Sequence, residues 1–425
     1  MLLQFSVENY KSFKDRTVLS LEGSVDKELA NNYVLLGKEK VLKVISVFGA
    51  NAAGKSNIFS ALTASILTLR QSANRQINEP LFYIIPFRFD EEALKQPSSF
   101  EYVFIGLDNK KYVYGFSATQ LRVTKEYLYV YDTAKASTVF ERTNDVYKFT
   151  SSTKKREMLP LTERNTSNKL FLATATQWNC EDTKQAYLWL AQGINTYSTN
   201  FDQLLNQTAP MFENDQDNSL KRFTTNILHE ADINIDDFEY ESRDQTKEQF
   251  IQGLPVELRG LASTVPFATN KEIRIETVHT IEKDGQWKQF NLSLFEESQG
   301  TRNLFLFAPI LKRAFETGET LCIDEFDTSI HPILIEYLMG LFNDQSINKT
   351  NAQLIFSTHA VSVMSLKTLR RDQIYFVEKN RSSGVSELYS LDEFSPRKQE
   401  DVRKAYLLGR YGSIPDVPEE ADLWR

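Results

Sequence analysis

Residues 44–62, VISVFGANAAGKSNIFSAL, set the tightest limit on what this chain folds into. An apolar run breaks at Gly49 into small residues, passes through Gly54-Lys55-Ser56 and resumes as a second apolar segment. Gly49 to Ser56 fits the pattern G-x-x-x-x-G-K-[ST]. In that pattern glycines let the backbone wrap closely around a polyphosphate, and successive N–H groups point inward at it. The helix that follows adds its positive N-terminal end. Gly49, Ala50, Asn51, Ala52, Ala53, Gly54, Lys55, Ser56 and Asn57 are therefore the expected phosphate-binding stretch. Lys55 would reach the β- and γ-phosphates, and the Ser56 hydroxyl would bind Mg²⁺. The competing reading, an ordinary glycine-rich turn, is disfavoured by the buried strand before it and the helix after it.

Two later segments repeat the form of an apolar strand that ends on a polar group. In ETLCIDEFD, residues 319–327, Asp324 stands at the C-terminal end of the strand, where open α/β sheets place their ligands. Asp324 is the expected holder of Mg²⁺, and Glu325 the group that orients and polarises an attacking water. In QLIFSTHAVSVM, residues 353–364, the strand ends at Ser357 and His359 stands just past it. His359 is placed to donate to a γ-phosphate, although a lone histidine is more often structural. Upstream of the acidic strand, EESQGTRNLFLFAPILKRAF carries Ser298, Gly300 and Thr301 at the start of a long apolar helix. That turn reads either as an N-cap or as a second anion site.

Around these motifs the chain is organised in three stretches. Residues 1–154 read as short strands, the loop and its helix over 55–77, then a long β pattern over 99–133 with a hairpin turn at Asp108-Asn109. Residues 155–265 have apolar positions at helical spacing, as in KQAYLWLAQGINTY, and read as a helical insertion. Residues 266–425 open with a β pair turning at Asp284-Gly285 and continue as helix, strand, helix, strand, strand, strand, helix. No apolar run is long enough for a membrane span. The two cysteines, Cys180 and Cys322, are too few for a disulfide framework, which makes a cytoplasmic location the simplest expectation. The net charge of −8 is unlike that of a domain that coats nucleic acid.

The order of phosphate loop, Ser-x-Gly-Thr turn, Asp-Glu strand and Ser-Thr-His strand resembles the ATP-binding-cassette superfamily. The short signature and the N-terminal FSVENYKSF are similar to its SMC and RecF branch rather than to transporters. Within that branch the chain resembles prokaryotic AAA-type ATPases of the RloA, AbiLi and PARIS AriA kind, to which PFRFD, YVYGF, DTSIHP and YLLGRYGSIP are also similar. The resemblance implies an α/β fold: an ABC/SMC-head-like P-loop ATPase with an antiparallel β subdomain and a helical insertion. It implies ATP and Mg²⁺ as ligands, and a homodimer or higher homo-oligomer in which each ATP lies between the phosphate loop of one subunit and the signature turn of another. Ser298, Gly300 and Thr301 would act in trans, with Asp327 in the loop facing the neighbour. The glutamine that transporters use between loop and signature has no placeable equivalent: Gln71 and Gln76 lie in or near the first helix. The adenine contact is unassigned, with Tyr10 and Lys11 as candidates.

The function this implies is an ATP-hydrolysing sensor or regulator of an anti-phage, abortive-infection system that controls a separate effector, a nuclease or toxin. The alternative is a DNA-binding repair ATPase like the RecF and SMC heads, with DNA across an engaged dimer. Composition and spacing alone reach only as far as an ATPase.

Overall fold

The computed structural model describes residues 1–133, 135–150, 152–253, 259–260 and 270–415. It divides into two compact units. The first comprises Met1–Ser198, Ala314–Asp327 and His331–Arg425, and the second Thr199–Arg313 and Thr328–Ile330.

The first unit contains a six-stranded sheet in the order Ile194–Tyr197, Thr320–Ile323, Gln353–Ser357, Val44–Phe48, Ile374–Lys379, Ser386–Ser390. The first five strands run parallel and the last is antiparallel. Val44–Phe48, Thr320–Ile323 and Gln353–Ser357 are buried along their whole length, which is why they read as continuous apolar runs instead of alternating ones. A seven-stranded antiparallel sheet runs from Val146–Lys148 through Ser137–Thr143, Val123–Tyr131, Lys111–Ala118, Ser98–Ile105 and Leu2–Glu8 to Thr17–Ser20. Its strands do alternate: Phe100, Tyr102 and Phe104 are buried, with half-buried residues between them. Helix Lys55–Ser72 contributes Ile58, Phe59, Leu62, Ile66 and Leu69 to the same core, at the spacing of one helix face.

The stretch expected as a helical insertion starts differently. Residues 155–198 belong to the first unit. Phe171, Leu172 and Trp189 are buried in its core, and the Trp189 ring stacks on Phe104 with centroids 4.2 Å apart. Ile194–Tyr197, read as the end of a helix, is a strand paired in parallel with Thr320–Ile323. The contact division falls at 198/199 and 313/314, with residues 328–330 also in the second unit.

The second unit holds helices Phe201–Glu213 and Ser219–Glu230 and an antiparallel sheet of Asp237–Gln245, Asn270–Lys283 and Gln286–Ser293. Its core is aromatic: Phe238 meets Phe305 at 4.8 Å and Phe212 at 5.5 Å. The turn at Asp284-Gly285 has φ of 56° and 74°, as a two-residue hairpin loop requires. Helix Gln299–Thr317 begins in this unit. Among the described residues, no helix is long and apolar enough to cross a membrane.

Candidate active site

The loop Gly49–Gly54 joins Val44–Phe48 to helix Lys55–Ser72. Gly49 has φ 152° and Gly54 φ 118°, a region that disfavours any side chain. Space agrees with conformation. A Cβ on Gly49 would lie 2.5 Å from the Val377 carbonyl, and one on Gly54 would lie 2.5 Å from Ser386 Oγ. Ala52 takes a left-handed turn at φ 61° and Asn51 is exposed. Ser386 Oγ holds the loop from outside by donating to the Ala53 carbonyl at 2.6 Å, and Asn57 Nδ2 donates to Ser12 Oγ at 2.7 Å.

Lys55 is 6% exposed. Its ammonium donates to the Gly49 carbonyl at 2.8 Å and the Ala50 carbonyl at 3.1 Å. Burial pushes its pKa below the ordinary lysine value, while Asp324, Glu325 and Asp327 pull the other way. The lysine and the three carboxylates thus share one electrostatic neighbourhood. Ser56 follows on the first helical turn, exposed, where helix N–H groups lack intrahelical partners.

Asp324 follows strand Thr320–Ile323 directly. The Ser357 hydroxyl donates to Asp324 Oδ1 at 2.5 Å and accepts from the Glu325 N–H at 2.7 Å. Glu325 itself has φ 52°, a strained value for a side chain of this size. Asp327 Oδ2 accepts from the His359 N–H at 3.0 Å, and Asp327 Oδ1 is buried with no hydrogen-bond partner among the described residues. The fold therefore brings Lys55, Asp324, Glu325, Asp327 and His359 together at the C-terminal ends of three adjacent parallel strands.

Ser298, Gly300 and Thr301 lie in the second unit. Ser298 Oγ accepts from the Thr301 N–H at 3.2 Å and pairs with Thr301 Oγ1 at 2.8 Å, so the serine caps helix Gln299–Thr317. A Cβ on Gly300 would collide with the Ser329 carbonyl, which accounts for the glycine. Ahead of this turn, Glu297 Oε1 accepts from Thr277 Oγ1 and meets His279 Nε2, both at 2.7 Å.

One adenine candidate is closed off by its packing. Tyr10 is 1% exposed, with its ring edge on Phe100 at 5.5 Å, so it has no face to offer an adenine. Lys11 Nζ donates to Ser60 Oγ at 2.6 Å. Gln71 is exposed and donates to Tyr83. The sequence reading also passed over Ser357 as a strand end and gave Ser413 no role. Ser413 Oγ donates to the Val377 carbonyl and stands 2.9 Å from the place of a Gly49 Cβ. The Gly-rich segment YLLGRYGSIP was the visible signal, but nothing local ties it to a loop in the first fifth of the chain.

The family model described as "AAA domain, putative AbiEii toxin, Type IV TA system" matches residues 44–365. Comparison with curated proteins gives no match. Among solved structures, the SMC head domain from Thermotoga maritima is similar at 13% identity and TM-score 0.38, covering 92% of this chain and 98% of that one. An Smc head from Pyrococcus furiosus, bound to the C-terminal domain of ScpA, is 12% identical at TM-score 0.42, with 96% and 98% covered. The recombination mediator RecF with ATP is 12% identical at TM-score 0.37, with 91% and 97% covered.

Proposed function

We propose, from the premise that this chain belongs to that AAA-domain family, that it is a Mg²⁺-dependent ATPase regulating a separate effector in a prokaryotic anti-phage, abortive-infection system. The observation that carries the enzymatic part is the convergence of Lys55, Asp324, Glu325 and His359 beside a phosphate-wrapping loop. The family description, which names a toxin–antitoxin system, supports the abortive-infection setting.

The donor set fits the ligands. Among the described residues no group of three or more His, Cys, Asp or Glu side chains is arranged to hold a metal by itself. Mg²⁺ commonly takes one or two carboxylates and completes its shell with water and phosphate oxygens, which matches Asp324 with the Ser56 hydroxyl. When bound it would offset phosphate charge and help align the leaving group. Lys55 would exchange its two loop carbonyls for phosphate oxygens. Glu325, its backbone N–H anchored by the Ser357 hydroxyl, would orient a water and take its proton. His359, tethered through its N–H to Asp327, would meet the terminal phosphate. The capped turn at Ser298 would close on that phosphate from a second copy of the chain, making ATP a reversible link between protomers. Hydrolysis would release the link and signal to the effector, a nuclease or toxin.

ATP turnover with two variants tests the chemistry. Lys55→Ala loses binding and hydrolysis together. Glu325→Gln keeps ATP and loses roughly 10²–10⁴-fold in turnover, as removal of a general base does, and accumulates paired protomers by particle mass. Unchanged turnover in both variants would defeat the reading. Capture of a toxic effector released on ATP hydrolysis would support regulation. ATP-dependent DNA affinity that falls steeply with salt, with no effector recovered, would favour a repair ATPase instead.

A further inference from the structure

The nucleotide reading leaves the base and ribose without a site, and the sheet order says where to look. Asp324 and His359 follow strands on one side of Val44–Phe48, and Ile374–Lys379 runs parallel to it on the other. A triphosphate whose terminal group faces Asp324 and His359 must extend its nucleoside toward the end of Ile374–Lys379. A cleft of about 900 Å³ opens there, walled by loop residues 50–53 and by Phe89, Lys379, Arg381, Gly384, Ile414 and Pro415. Its size is that of a small-molecule site.

Three features of the cleft match a flat aromatic ligand. Phe89 is 70% exposed, yet it is held in place by an edge contact with Phe87 at 5.7 Å. Lys379 Nζ lies 5.6 Å from the Phe89 ring centroid, a cation beside the same platform. Gly384, at φ 70°, carries no side chain where it meets the ring; a Cβ there would lie 2.5 Å from Phe89 Cδ2. Tyr10, the aromatic candidate for the base in the sequence, is buried.

We propose that this cleft binds the base and ribose of the nucleotide, with the base stacked on Phe89 and with Ile414 and Pro415 supplying apolar wall. The inference rests on the nucleotide reading of the phosphate loop. It makes the segment Tyr406–Pro415 part of the substrate site: Tyr406 OH donates to the Ser413 carbonyl at 3.0 Å, fixing the wall that Ile414 and Pro415 form.

The test compares two ligands by titration calorimetry, Mg-ATP and Mg-tripolyphosphate, the second lacking base and ribose. Phe89→Ala weakens ATP about tenfold or more, in line with the loss of one base–aromatic stack, and leaves tripolyphosphate unchanged. Phe89→Trp keeps the wild-type affinity for ATP. Gly384→Ala, which pushes the ring from its place, repeats the selective loss and serves if Phe89→Ala does not fold. Lys55→Ala weakens both ligands. The proposal is overturned if Phe89→Ala and Gly384→Ala bind ATP like the wild type, or weaken both ligands equally. Failure of Lys55→Ala to affect either ligand would instead defeat the nucleotide reading of the loop.

Discussion

Ser357 Oγ lies 2.5 Å from Asp324 Oδ1, and the same hydroxyl accepts the Glu325 N–H at 2.7 Å. One buried side chain on one strand thus orients the metal candidate's carboxylate and anchors the backbone of the base candidate at the end of its neighbour. Ser357→Ala leaves both acids in the sequence but removes the group that holds them. Loss of such an orienting partner typically costs about 10–100-fold in metal affinity or activity. The expected result is a raised Mg²⁺ requirement and lower turnover with ATP affinity retained, read from Mg²⁺ titrations of phosphate release. A variant with wild-type Mg²⁺ dependence would place the metal elsewhere.

Gly54→Ala tests the loop backbone itself. At φ 118° an alanine is strained, and its Cβ would press on Ser386 Oγ at 2.5 Å and Ser12 Oγ at 2.9 Å. Those two serines hold the loop and the first helical turn through Ala53 and Asn57. Nucleotide affinity should fall by tenfold or more, roughly the effect of 1.4 kcal/mol or greater of strain, while the far-UV spectrum stays native. Wild-type nucleotide affinity in this variant would show that the loop tolerates a side chain there.

Much of this site was readable because its chemistry is local. The loop, its strand and its helix are consecutive, and Asp324 and His359 each follow a fully buried strand that reads as an apolar run. The order helix, strand, helix, strand, strand, strand, helix after residue 295 also appears as expected. What could not be read depends on distant pairing. Ile194–Tyr197 is a strand only because Thr320–Ile323 lies beside it; locally INTY continues a helical pattern. Asp237–Gln245, with charged residues at most positions, is a strand only through its pairing with Asn270–Lys283. Phe89 and Ile414 share a cleft across more than three hundred residues of chain, and no periodicity reports that.

Glu297 precedes the signature turn and is pinned by Thr277 Oγ1 and His279 Nε2. Glu297→Ala frees the residue next to Ser298 without touching the phosphate loop. ATP binding by separate protomers should be unchanged, and ATP-dependent pairing in the Glu325→Gln background should weaken severalfold, measured as particle mass against protein concentration. Equal pairing with and without Glu297 would remove the turn's rigidity from the mechanism.

Glu126 is fully buried beside Arg142. Its carboxylate accepts the Phe171 N–H at 2.6 Å, the Leu172 N–H at 2.9 Å and Tyr114 OH at 3.1 Å. The N-terminal end of helix Phe171–Gln177 is therefore satisfied by a residue from a strand of the antiparallel sheet. Glu126→Ala leaves two N–H groups without their acceptor and takes the buried carboxylate from Arg142, whose guanidinium keeps the carbonyls of Asn144, Ser167 and Lys169. Removal of one partner from such a pair costs about 3–5 kcal/mol. Urea unfolding should show a stability loss of that order, and a loss under about 1 kcal/mol would mean that water replaces the carboxylate.

Lys43 makes the opposite prediction. It is buried, and its Nζ has no hydrogen-bond partner among the described residues. Burial lowers its pKa from the ordinary 10.5, with Asp344 opposing in part. The unfolded chain then binds more protons than the folded one between the lowered value and 10.5. Stability therefore rises with pH through that window and is depressed below it. Lys43→Met keeps the aliphatic stem and removes the charge. At pH 7 the variant should be more stable by about 1–3 kcal/mol, the cost of an unsatisfied buried donor. The gain should shrink as the pH rises toward 10.5, because more of the wild-type amine is then neutral in the folded state than in the unfolded. Denaturant midpoints of the two proteins measured from pH 7 to 10.5 decide the matter, and equal stability across that range would mean that the ammonium reaches water after all.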